Sequence, residues 1–155
     1  MQGKFFEDFT VGEKISTLSR TVTETDIVNF VCLVGITEEL FTSIEYIRNR
    51  SLFKDRIAPG TLIFALAEGL TMQTGILHDT GLAFLGLKDL RIPAPVYKDD
   101  TIRVEIEVVE KRETRKPDRG VVTFVHRVQN QRGEVVMEYT ITRMMRRRGE
   151  EQGKD

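Results

Sequence analysis

Residues 61–75 are apolar almost all the way round a helix. From Thr61 to Leu70 only Thr61 and Glu68 break the run Leu62, Ile63, Phe64, Ala65, Leu66, Ala67. A Pro59-Gly60 turn leads into this stretch and Gly75 ends it, which predicts a helix about 22 Å long at 1.5 Å per residue. Such a helix has no solvent side, so other structure is expected to wrap most of its circumference. Ala65, Ala67 and Gly69 let it lie close against a sheet. Upstream, Ile15 to Val22 reads as an opening strand. Thr23-Glu24-Thr25-Asp26 is a capping box ahead of Ile27, Phe30, Val31 and Val34 at helical spacing, with Gly35 as the stop. Residues 36–42 read as loop, and Ser43 caps a short helix over Ile44–Arg50.

Past Gly75 the period becomes two. Leu82, Phe84, Leu85 and Leu87 mark a strand that closes near Pro93. Ile102, Val104, Ile106 and Val108 alternate with Arg103, Glu105 and Glu107, the pattern of a half-buried strand. Turn chemistry at Lys116-Pro117-Asp118-Arg119-Gly120 separates this from Val122, Phe124 and Val128. Asn130-Gln131-Arg132-Gly133 then leads to Val135, Met137, Tyr139 and Ile141. Three long strands with short turns make an antiparallel meander. The fold class is α+β: one domain over residues 1–148 and a polar tail over 149–155.

Composition narrows the partners. The chain has 155 residues, 40% hydrophobic and 30% charged, with a net charge of -1, an ordinary globular balance that gives nucleic acid no basic face. The single cysteine excludes an internal disulfide or a cysteine metal cluster. Among Phe30, Val31, Leu33 and Val34, Cys32 reads as a buried small hydrophobe. No His, Cys or carboxylate pair has metal-ligand spacing, so no metal is expected. No apolar run nears the ~18 residues that cross a bilayer, and no apolar leader segment begins the chain. A cytoplasmic protein with no membrane partner is expected.

The order of elements, the Ile57-Ala58-Pro59-Gly60 approach to the helix, the segment from Ile92 to Thr101 and Thr21-Val22-Thr23-Glu24-Thr25-Asp26-Ile27 together resemble the MaoC-like dehydratases. That family includes (R)-specific enoyl-CoA hydratases, and the resemblance runs from about residue 5 to residue 145. It implies a hot-dog fold, with the antiparallel sheet wrapped around the central helix. It also implies a homodimer or higher oligomer, or a heteromer with an active paralogue. The implied ligand is an acyl-CoA thioester, as substrate or cargo, with no further cofactor and with chemistry that adds or removes water across a Cα–Cβ bond.

The departures from the family matter as much as the matches. Family enzymes carry Gly-Asp-x-Asn-Pro-x-His after the first helix, and the Asp and His activate the water. Here the stretch reads Gly35-Ile36-Thr37-Glu38-Glu39-Leu40-Phe41, so Ile36 and Phe41 hold the dyad positions. Ala65 stands where some hydratases have a serine, and Asp99 where the family often has a turn glycine. Losing positioned acid and base groups removes ~10²–10⁴-fold of rate. What the resemblance keeps is Gly60, whose N–H opens the helix where the thioester carbonyl is held, flanked by Pro59 and Thr61. Glu38 and Glu39 are the candidate substitute acids or, alternatively, solvated loop carboxylates. Lys54 and Arg56 are either partners for CoA phosphates or ordinary surface charges. Glu68 is expected either to pair structurally or to face a pocket or subunit interface. His78 reads as a surface loop residue and His126 as sheet surface or interface. Three functions stay open: an enoyl-CoA hydratase or dehydratase, a non-catalytic acyl-CoA-binding protein or inactive dehydratase subunit, and a hot-dog thioesterase.

Overall fold

The computed structural model describes residues 3–149, so all of the expected tail but Gly149 lies outside the described residues. The chain forms β1 (Lys14–Ser16), β2 (Arg20–Thr21), α1 (Glu24–Val34), α2 (Glu39–Thr42), α3 (Ile44–Arg50) and α4 (Gly60–Gln73). The strands β3 (Gly81–Arg91), β4 (Thr101–Glu113), β5 (Arg119–Gln129) and β6 (Val135–Arg146) follow. The sheet is antiparallel throughout, in the order β1-β4-β5-β6-β3, with β2 paired to β4.

The meander is the predicted one. Val104 faces Val128 and Phe124 faces Ile141 across their ladders. Period two then puts Ile102 to Val108, Val122 to Val128 and Met137 to Met145 on one buried face, against which Leu62, Ile63, Ala67 and Leu70 of α4 pack in one core. The capping box is in place: Thr23 Oγ1 accepts the Asp26 N–H, the Asp26 carboxylate accepts the Thr23 N–H, and Gly35 closes α1 at φ 74°. Asp99 adopts φ 68°. The neighbouring Asp100 carboxylate accepts from Tyr97 N–H and Gln131 Nε2 and fixes that turn.

Several expectations are corrected. The opening strand is split, because Val104 N–H bonds to the Thr17 hydroxyl at 2.9 Å instead of to a backbone carbonyl, and the ladder breaks there. Residues 39–42 coil into α2, whose Phe41 and Thr42 amides donate to Glu38 O. Cys32 is exposed: α1 turns Ile27 and Val31 inward, and Cys32 sits a third of a turn away. Finally, α4 is not fully wrapped. Thr61, Ala65, Gly69 and Met72 form an open stripe, whose Met72 end meets Leu82 and Phe84 of edge strand β3, where Leu85, Leu87 and Leu90 are also exposed.

Candidate functional site

Two features adjoin α4. The first is a cavity of about 290 Å³ at its N-terminus. Phe41, Phe53, Gly60 and Ile63 of α4, residues 92–96 and Met137 of β6 line it. Its shape comes from two extended segments bonded together, with Ala58 N–H to Val96 O at 2.8 Å and Lys98 N–H to Arg56 O at 3.0 Å. Prolines 93 and 95 suit such a strap, because neither has an N–H to leave unpaired. Every lining side chain is apolar.

The polar contribution is the helix end. Pro59 O accepts the Leu62 and Ile63 amides, so the N–H groups of Gly60 and Thr61 precede the first intrahelical bonds. Gly60 lines the cavity, and a Cβ on it would come within 2.5 Å of Ile92 Cδ1. A helix N-terminus offers donors and a positive dipole end to a ligand oxygen. Thr61 lies on the open stripe instead, and Pro59 is the buried cap.

The other sequence candidates scatter around this cavity. Phe41 lines it; Ile36 does not, and is half-buried with its N–H on Val31 O. Glu38 and Glu39 are exposed at the start of α2 and do not line it. Lys54 is exposed. Arg56 is engaged: its Nη1 donates to Phe41 O at 2.6 Å and its Nε to Glu24 Oε1 at 2.9 Å. His78 is on the surface, as expected. Among the described residues, no three His, Cys, Asp or Glu side chains stand together as metal ligands.

The second feature is a polar chain under the middle of α4. Glu68 accepts from Arg143 Nη2 through Oε2 and from the Tyr139 hydroxyl through Oε1, the latter at 3.0 Å. His126 Nδ1 lies 2.9 Å from Tyr139 Oη. The carboxylate can only accept, so the tyrosine proton goes to it, and the tyrosine oxygen then accepts from His126 Nδ1–H. Structural pairing of Glu68 is therefore the outcome. His126 corrects its expectation, since it is 1% exposed on the inner face, not at the surface. Phe64 packs edge-on against Tyr139, with ring centroids 5.0 Å apart, and Arg143 lies over the Phe84 ring.

Burial, reinforced by the Arg143 charge, lowers the His126 pKa to about 3. Burial and the adjacent Glu68 carboxylate push the Tyr139 hydroxyl well above its ordinary value. The neutral histidine thus stabilises the fold fully above the unfolded-state value near 6.5. That stability is lost as pH falls below it, because the unfolded chain takes up the proton first. Between pH 7 and pH 5 the unfolding free energy is expected to drop by about 2 kcal/mol, a window above the usual carboxylate range. His126→Gln should flatten this dependence in urea unfolding followed at both pH values. An equally steep loss in the variant would mean that His126 is not its source.

Comparison with known proteins agrees with this architecture. The family model described as MaoC like domain matches residues 7–130. A β-methylmalyl-CoA dehydratase of Chloroflexus aurantiacus is 34% identical over 94% of the chain. The chain spans only 41% of that enzyme, and 33% and 42% of two further curated relatives, the Klebsiella aerogenes protein MaoC and a mesaconyl-CoA hydratase of Cereibacter sphaeroides. A solved Archaeoglobus fulgidus structure, described as a monoamine oxidase regulatory protein, superposes with a TM-score of 0.88 at 38% identity. That match covers 96% of this chain and 98% of the other. A Mycobacterium tuberculosis protein with a double hot-dog fold shares the fold at 18% identity and a TM-score of 0.83, over 99% of this chain and 46% of its own. A central helix on an antiparallel sheet, the Gly60 helix start and a match over most of the length lead to one assignment: the chain is a hot-dog protein of the MaoC-like dehydratase family.

Proposed function

We propose that this chain binds an acyl-CoA thioester, with the acyl group in the apolar cavity and the thioester oxygen at the Gly60 N–H. The observation that carries this reading is the composition of the cavity: among the described residues its side chains are apolar, and the Gly60 N–H, ahead of the first intrahelical bonds, is its polar feature. That suits an aliphatic chain ending in a carbonyl. Lys54, exposed near this end, is the candidate for the CoA phosphates. Among the described residues no titratable side chain lines the cavity, and Ile36 and Phe41 cannot move protons, so binding without hydration is the function supported best. A heteromer that pairs this chain with an active paralogue is compatible with it.

A second reading, hydration or dehydration of the same thioesters, is favoured by the dehydratase among its relatives. It needs Glu38 or Glu39 to reach the substrate. Purified protein mixed with crotonyl-CoA and longer enoyl-CoAs separates the two readings through the enoyl thioester absorbance. Constant absorbance with measurable binding fits the first. Loss of absorbance that Glu38→Gln or Glu39→Gln stops establishes the second.

The working unit in this proposal is two copies joined along β3. Its outer edge leaves backbone N–H and C=O groups without a partner strand, beside exposed Leu85 and Leu87 and the open stripe of α4. Leu85→Lys with Leu87→Lys is expected to turn a micromolar dimer into a monomer by sedimentation velocity. A wild-type monomer, or a variant that still dimerises, would remove β3 as the contact.

A further inference from the structure

Arg56 offers its guanidinium to the protein more than to solvent: only 11% of its side chain is exposed. Its bonds to Phe41 O and Glu24 Oε1 tie three separate pieces together: the first residue of α1, the short α2, and the extended segment that leads into α4. Charge-assisted bonds of this length are strong and directional. Helix α2 is a single turn without buried residues, so it has little packing of its own to hold it. Its Phe41 nonetheless packs against the core and lines the cavity.

We infer that Phe41, held in place by Arg56, is the wall that decides which acyl group the cavity accepts: an uncharged aliphatic chain of limited length. The inference rests on the acyl-CoA reading above. A methylene is close to a water molecule in size, at ~30 Å³ each, so about 290 Å³ holds roughly eight carbons after packing losses. A second carboxylate on the acyl group would be buried among apolar side chains with no partner, which is costly. Arg56 is then a positioning residue for Phe41 and not a ligand for the CoA phosphates.

The test is calorimetric titration of the whole chain with free CoA, saturated acyl-CoAs of four to twelve carbons, and succinyl-CoA. The wild type should gain about fourfold in affinity per added methylene, stop gaining near eight carbons, and bind succinyl-CoA about 100-fold more weakly than butyryl-CoA. Phe41→Ala should move the limit outward by roughly three or four carbons, the room its ring gives up. Arg56→Met should blur the limit in the same direction, with Arg56→Lys restoring part of it through a bond to Phe41 O. Glu24→Gln, at an exposed position, should give a milder form of the same change should Arg56→Met fail to fold. An unchanged length profile in Phe41→Ala overturns the inference. So does an Arg56→Met protein that weakens free CoA and every acyl-CoA by one common factor, the signature of a phosphate ligand. Failure of the acyl-CoA reading itself looks different: the wild type then binds no thioester of any length.

Discussion

Glu68→Ala is expected to lower the unfolding free energy by about 3–5 kcal/mol, the cost of stripping one member from a buried ion pair. Arg143 is only 5% exposed. Without the carboxylate its charge stays buried with the Phe84 ring for company, while the Tyr139 hydroxyl loses its acceptor. For a chain of this size the melting temperature should fall by about 10 °C or more. Glu68→Gln keeps an acceptor and should fall less. Replacing both partners by apolar groups of similar bulk, Glu68→Leu with Arg143→Met, should recover most of the loss, because desolvation of both charges disappears with them. Thermal unfolding of the four proteins checks this. A Glu68→Ala protein that melts within about a degree of wild type would show that water replaces the carboxylate, and that the network does not hold α4 to the sheet.

Gly60→Val should weaken acyl-CoA binding by about 100-fold or more and leave the melting temperature nearly unchanged. A Cβ at this position meets Ile92 Cδ1, the tip of a half-exposed side chain, so the fold can yield there. The ligand cannot. The new side chain fills the place where a thioester oxygen would approach the Gly60 N–H, and an ångström of misplacement can cost ~10²-fold. Paired calorimetric titration and thermal melting separate these effects. Undiminished binding would move the thioester site elsewhere, whereas loss of binding together with loss of fold would make Gly60 a structural residue.

Much of the fold was legible in the sequence because its signals are local. The capping box at Thr23–Asp26, the glycine stop at Gly35 and the Ser43 cap each depend on residues within one turn, and all three are present. The alternation from Ile102 to Val108 survives because one sheet face is buried. That same alternation, carried on, would have placed His126 inside: it has the parity of Phe124 and Val128, as Arg143 has that of Tyr139 and Ile141. A polar side chain at an inward position suggests an outward one, since its partner lies on another element and leaves no mark nearby. The cavity was less legible still. Phe53, Ile92 and Met137 are far apart in the chain and meet only because the segments around Ala58 and Val96 bond to each other. Gly60 and Phe41 could be found in advance because the family resemblance marks their positions. Arg56 as a tie to Phe41 could not, because a backbone carbonyl has no residue type to betray it.

The acyl group, and not the nucleotide end alone, is expected to be what the protein holds. Isothermal titration of the wild-type chain with butyryl-CoA, octanoyl-CoA and free CoA tests that directly. The cavity and the Gly60 helix end predict octanoyl-CoA tighter than butyryl-CoA and both far tighter than free CoA, at about fourfold for each methylene buried. Equal affinity for all three, or no binding of any, would contradict it.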